Sequence, residues 1–316
     1  QRQMCIRDRI TSGEIIAGKW IKKIYEIIIN GLQKQEYFFN AKAANKAIRF
    51  IENFCHHSKG RNDLIKLELW QKAIVSVIFG IQDAEKIRIF REIFIVIGRK
   101  NGKSLFASAI IAYMAYLEPE YGQEIYCLAP KLDQAALVYD GFYQMVQAED
   151  ELAELAKKRR SDIYIAESNT VIKPIAFNAK KSDGFNPQLV VCDEMAAWSG
   201  DAGLKQYEVM KSALGARTQP MILSISTAGY INDSRLQTQG NAQESAKGQH
   251  KAHKAYYQEV RERENHKRAV TKEHTELDGT RRTRRQLQPT KENRNAGRGS
   301  HRKGCLSGRM QERVHE

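Results

Sequence analysis

Gly102-Lys103-Ser104 sit between a strand-like stretch, REIFIVIG at 91–98, and an apolar helical run, SLFASAIIAYMAYL at 104–117. A strand, a tight loop and a helix in that order build a phosphate cradle, because backbone N–H groups of the loop and of the helix N-terminus point at the anion. In such a cradle Lys103 reaches the β- and γ-phosphates and Ser104 holds Mg²⁺, while Lys100, Asn101 and Gly102 form the loop that wraps the nucleotide. The usual spacing puts four residues between the first glycine and Gly-Lys-Ser. Here Gly98 and Gly102 are separated by three, so Ile97 takes the first glycine's position. Alone, the triplet fits a surface turn almost as well.

A second pair of residues changes that balance. LVVCDE ends an apolar strand on Asp193 and Glu194, where one carboxylate can bind Mg²⁺ through water and the next can orient an attacking water. Strands ending in Asp-Glu are common by themselves; downstream of Gly-Lys-Ser, in this order, they point to hydrolysis of ATP. Two lesser features fit the same site. Gln71, beside Trp70, carries an amide that offers a donor and an acceptor to an adenine edge, although a core Trp with a surface Gln reads as easily. Ser226 and Thr227 end the next strand, placing hydroxyls where they could sense the γ-phosphate; ordinary strand-end polarity is the bland alternative.

Elements of the right kind surround these residues. Apolar residues at three- and four-residue steps from 15 to 54 predict two or three amphipathic helices. A polar break at 56–63 separates them from a helix at 67–80, a strand at 91–98, a helix at 104–117 and a strand at 124–130. A helix over 133–158 follows, then strands at DIYIA, VIKPIAF, QLVVCDE (188–194) and MILSIST (221–227). Apolar strands alternating with helices predict an α/β fold with a parallel sheet covered on both faces. The expected division is an arm at 1–17, a helical segment at 18–60, an ATPase domain at 61–234 and a tail at 235–316.

The tail breaks the pattern. All 30 Ile precede Ser234, and the residues after it contain no Ile, Phe or Trp but six of the eight His. Such a stretch cannot bury enough apolar area to offset its chain entropy and is expected to be disordered. It also holds 20 Lys and Arg against 10 Asp and Glu, so most of the chain's net charge of +14 lies there. A nucleic-acid-binding arm and an out-of-frame translation both explain it, and the abruptness of the switch favours the second. The five cysteines are odd in number and widely spaced, which indicates neither a disulfide framework nor a zinc site. Cys55-His56-His57 lacks a second ligand pair nearby and reads as a polar helix end. No run of apolar residues is long enough to span a bilayer, and no secretory signal core follows the first residues, so a soluble protein of a reducing compartment is expected.

Taken in order, LELWQ, IGRKNGKS, YCLAPKLDQA, KKSDGFNPQLVVCDEMAAW and ILSISTAGY resemble the ATPase domain of the large terminase subunit of tailed bacteriophages, over roughly 18–234. The RKNGKS loop is the most specific part. The resemblance implies a RecA-like P-loop fold of the additional-strand type, with an arginine finger in cis at Arg99, catalytic Glu194 and metal ligands Asp193 and Ser104. It also implies an adenine-side glutamine at Gln71 and a coupling motif at Ser226-Thr227-Ala228. The implied cofactor and substrate are Mg²⁺ and ATP. The implied partners are double-stranded DNA, a portal protein, a small terminase subunit and other copies of the chain in a ring on the procapsid, in the cytoplasm of the bacterial host. A helicase-like P-loop motor and a non-catalytic basic DNA-binding protein are the alternatives. The family's nuclease domain has no counterpart after Ser234, so no nuclease residues are assigned.

Overall fold

The computed structural model describes residues 9, 12–14, 17–118, 120–177, 184–195, 198 and 201–227. Expectations for the tail at 235–316, for most of the arm at 1–17 and for Ala228 lie outside the described residues.

Two amphipathic helices lead in, α1 (Lys19–Gln33) and α2 (Ala41–Phe54), the latter capped by Asn40, whose side chain accepts from the Ala43 N–H at 3.1 Å. A two-stranded ladder, β1 (Phe38–Phe39) with β2 (Ile81–Gln82), flanks α3 (Leu69–Gly80). The central unit is then β3 (Glu92–Val96), α4 (Lys103–Leu117), β4 (Glu124–Ala129) and α5 (Leu132–Gln147). It continues through α6 (Asp150–Ala153), β5 (Ala156–Lys158), β6 (Ile163–Ile165), β7 (Thr170–Ala176), β8 (Pro187–Asp193), α7 (Asp201–Ala213) and β9 (Met221–Ser226).

Seven of these strands form one sheet in the order β3-β9-β8-β4-β7-β6-β5. From β3 to β7 all neighbours run parallel, whereas β6 and β5 join antiparallel. The fold is thus α/β with a mostly parallel sheet, and β9 is the additional strand between β3 and β8. One expectation needs correction: the helix expected over 133–158 ends at Gln147, gives one short turn, α6, and becomes strand β5. The reason is non-local: Ala156, Lys157 and Lys158 pair with Ile165, Tyr164 and Ile163, and the Arg159 N–H donates to the Asp162 carbonyl at 2.8 Å to close the hairpin. Helix α7 was not anticipated.

Pro174 sits inside β7, where a missing N–H would ordinarily break a ladder. The Val171 N–H donates toward β4, to the Gln123 carbonyl, so by alternation position 174 faces the β6 side. Pairing with β6 ends at Ile172, and no ladder bond is lost.

Alternation along the parallel strands separates two cores. Leu189 and Val191 of β8, Ile125 and Cys127 of β4, and Leu223 and Ile225 of β9 face the larger core with α2–α5. Val190, Cys192, Tyr126, Leu128 and Ile222 face a smaller one with Met195, Trp198, Met210 and Leu214. Burial on both faces is why these strands read as continuous apolar runs. Helix α4 lies so deep that its residues from Phe106 to Ala115 are all buried. Its alanines let α2, α3 and α5 approach, and Tyr113 meets Phe79 edge-on at 4.6 Å and Phe50 at 5.9 Å. The cysteines at 55, 127 and 192 are free and buried, and burial pushes the Cys192 thiol up to about 12. Among the described residues no helix is long and apolar enough to cross a membrane.

Candidate functional site

The site lies where β3, β9 and β8 end at their carboxyl edges, the place where parallel α/β sheets collect polar groups. One further ladder bond, from the Ile97 N–H to the Ser226 carbonyl at 3.1 Å, carries β3 toward the loop. The loop then turns through Lys100, at φ +64°, and Gly102, at φ +73°. Gly102 caps α4, and an added Cβ would meet nothing within 4 Å, so glycine is favoured there by the left-handed backbone rather than by space. The Asn101 amide donates to the Gly98 carbonyl at 3.0 Å and to the Arg99 carbonyl at 3.3 Å, stapling the loop. Its backbone N–H groups and those opening the 15-residue helix α4 form the anion-binding end.

Lys103 is the cation of the site, with its side chain only 15% exposed. Its ammonium donates to Glu194 Oε1 in a short contact and lies 3.8 Å from Asp193 Oδ1. The Ser104 hydroxyl is 3.5 Å from Asp193 Oδ2. On the far side of Glu194, Oε2 accepts from the Thr227 N–H at 3.2 Å and the Thr227 hydroxyl at 3.0 Å. Glu194 therefore bridges the ends of α4 and β9. It does so from φ +49°, a left-handed backbone that costs a non-glycine residue of order 1–3 kcal/mol and needs surrounding bonds to persist.

The two carboxyls are pushed in opposite directions. Burial raises Asp193, Lys103 pulls it down, Glu194 pushes it up, and the net effect is upward. Burial would also raise Glu194, but the bonds from Lys103 and Thr227 outweigh it and hold this carboxyl below the usual range. Ser104 and Asp193 supply hard oxygen ligands suited to Mg²⁺, and the Lys103 ammonium with the α4 N-terminus suits a polyphosphate.

The structure brings together Lys103, Ser104, Asp193, Glu194 and Thr227. Gly102, Asn101 and Lys100 stand in the loop above them. Arg99 is exposed at its rim, and its guanidinium pairs with no described residue. Ser226 is fully buried, and its hydroxyl donates to the Thr227 carbonyl at 2.9 Å. Gln71 occupies the first turn of α3, where its Oε1 accepts from the Glu68 N–H at 2.9 Å in a capping box. Its neighbour Trp70 is 37% exposed and packs on Phe106 of α4 at 5.9 Å, which places Gln71 beside the first turns of the cradle helix. His56, of the Cys-His-His stretch, is held by the Asn62 carbonyl and Glu149, and no metal cluster occurs among the described residues. Two contacts were not foreseen: Thr227 holding Glu194, and Trp198 donating to the Asp193 carbonyl. The first could not be read from sequence because it joins residues on different strands; the second had only an unassigned Trp five positions on as its signal.

Fold and site together define a P-loop α/β ATPase of the additional-strand class. The family model for the ATPase domain of the terminase large subunit matches residues 69–247, and the chain belongs to that family. The terminase large subunit of Enterobacteria phage HK97 is 26% identical over 196 residues, covering 60% of this chain and 38% of that protein. The terminase large subunit of Lactococcus phage SK1 is 26% identical over 199 residues, covering 59% and 36%. The crystal structure of the HK97 bacteriophage large terminase shares the fold, with a TM-score of 0.54 and 23% identity over 66% of this chain and 42% of that one. The chain thus spans less than two-fifths of the length of these curated relatives.

Proposed function

We propose that this chain is the ATPase part of a viral DNA-packaging motor, hydrolysing Mg²⁺-ATP to move double-stranded DNA into a procapsid. The observation that carries the hydrolase reading is the meeting of Lys103, Asp193, Glu194 and Thr227, from three chain segments, at one sheet edge. Lys103, Gly102, Asn101 and Lys100 would hold the nucleotide's phosphates, and Gln71 its base once released from its cap. Ser104 and Asp193 would hold Mg²⁺, which when bound neutralises phosphate charge. Lys103 must then leave Glu194 for phosphate, and that exchange frees one oxygen of Glu194 to orient a water while Thr227 keeps the other. Thr227 accordingly couples β9 to the hydrolytic carboxylate, and Arg99 stabilises charge from the rim. The proposed partners are double-stranded DNA, a portal protein and a small terminase subunit, with assembly as a ring in the host cytoplasm and an ATPase unit over 61–234; membership of the terminase family supports this reading.

The test is phosphate release from ATP by the full chain with and without Mg²⁺, alongside Glu194→Gln. The variant should bind a fluorescent ATP analogue as wild type does yet release no phosphate. Wild-type turnover in it would remove Glu194 from this role.

A further inference from the structure

One peptide unit joins the two site carboxylates, and side chains hold both of its polar atoms. The Glu194 N–H donates to Asp193 Oδ1 at 2.8 Å, and the Asp193 carbonyl accepts from Trp198 Nε1 at 2.9 Å. A planar peptide gripped at both ends cannot rotate without breaking a bond. Rotation of this plane is what would let Glu194 relax from φ +49° toward an ordinary backbone.

The indole is seated firmly enough to act as the grip. Trp198 is 3% exposed and meets Phe177 edge-on at 4.7 Å. On another side lies Gly203 of α7, where an added Cβ would come within 3.2 Å of the indole and 3.1 Å of Phe177. The Trp198 backbone N–H also donates, to the Met195 carbonyl at 3.1 Å, which fixes the main chain that carries the ring. A Trp that only filled the smaller core would need some acceptor for its N–H. This acceptor belongs to the peptide that sets the direction of Glu194.

We infer that Trp198 is a positioning residue of the site: its indole N–H locks the Asp193–Glu194 peptide and thereby holds the Glu194 carboxylate between Lys103 and Thr227. This rests on the reading of the site as an ATP hydrolase. The full chain would be compared with Trp198→Phe, which keeps an aromatic ring and removes the donor, and with benzothienylalanine placed at 198, which replaces N–H by sulfur at nearly equal volume. In both, amide exchange should accelerate in peptides covering 189–195 while β3, β4 and α4 remain protected. Leaving the buried carbonyl unpaired should lower kcat about tenfold while affinity for a fluorescent ATP analogue stays within about twofold. Gly203→Ala, which crowds the ring from the other side, should shift both readouts less and in the same direction. Unchanged exchange at 189–195, a wild-type kcat, or loss of protection across the whole sheet would each overturn the lock. A wild-type chain without turnover would count against the ATP reading instead, and the exchange measurement would still decide the lock.

Discussion

The two ends of the seven-stranded sheet handle charge in opposite ways. At the parallel end β3, β9 and β8 all deliver their carboxyl termini to one edge, so Lys103, Asp193, Glu194 and Thr227 converge although they are far apart in sequence. At the antiparallel end successive strands deliver opposite termini, and the run Lys157-Lys158-Arg159-Arg160 lies along an exposed edge. There the cations that find partners find them nearby: Lys158 lies 4.5 Å from the Tyr143 ring centroid and 3.6 Å from Asp140, and Arg159 sits 4.4 Å from the Tyr164 ring and 2.5 Å from Asp162. Charge on an edge strand discourages edge-to-edge pairing. A high density of charge is therefore no guide to chemistry; what distinguishes the site is convergence from several strands at a strained backbone.

The largest effect should come from Lys103→Ala. Removing this cation takes away the phosphate contact and should abolish turnover of Mg²⁺-ATP, measured by phosphate release, and turnover near wild type would place the chemistry elsewhere. Next is Arg99→Ala, where loss of an arginine finger predicts a fall in kcat of ~10³–10⁵ with little change in nucleotide affinity. An equal loss in both parameters would make Arg99 a binding residue and narrow the contrast between the rim and the centre.

A smaller effect, of opposite sign, should appear in stability. Folding raises the Asp193 carboxyl, mainly by burial, so its ionised form destabilises the fold above the folded pKa and the penalty fades as pH falls through it. Asp193→Asn keeps an oxygen to accept the Glu194 N–H and should raise the melting temperature by a few degrees at about pH 7 to 8, with the gain shrinking toward acid pH. A loss would mean that Asp193 stabilises the empty site, and a gain independent of pH would mean that its ionisation is not the source of the penalty. Smallest of all is Lys158→Ala at the other end. Its ion pair is about half exposed, so the cost should stay below ~1 kcal/mol in denaturant titrations, with kcat untouched. A drop in kcat comparable to that of Arg99→Ala would erase the difference between the two ends.

Much of the parallel end was legible because its signals are local. REIFIVIG followed by a glycine-bearing loop and an apolar helix is a contiguous pattern, and the structure follows it with β3 and α4. LVVCDE likewise became a buried strand ending on Asp193. At the antiparallel end the helix expected over 133–158 runs past the end of α5 into residues that the structure pairs as β5. Whether 156–158 extends as strand depends on a partner, β6, that lies beyond the turn. Gln71 shows the same limit at the level of one side chain. Its amide chemistry was evident, but its occupation by the Glu68 N–H belongs to a cap that only folded geometry displays.

By itself the sequence determined the strand–loop–helix around Gly102-Lys103-Ser104, the buried strands of the parallel end and the chemical groups available, since periodicity, glycine placement and strand-end carboxylates are properties of short segments. Tertiary structure alone decided which groups meet. It set β9 between β3 and β8, turned Glu194 into a left-handed backbone, and brought Thr227 and Lys103 to its two oxygens. Those choices are made by pairing between strands distant in the chain, and a segment's own residues do not name the partner it will pair with.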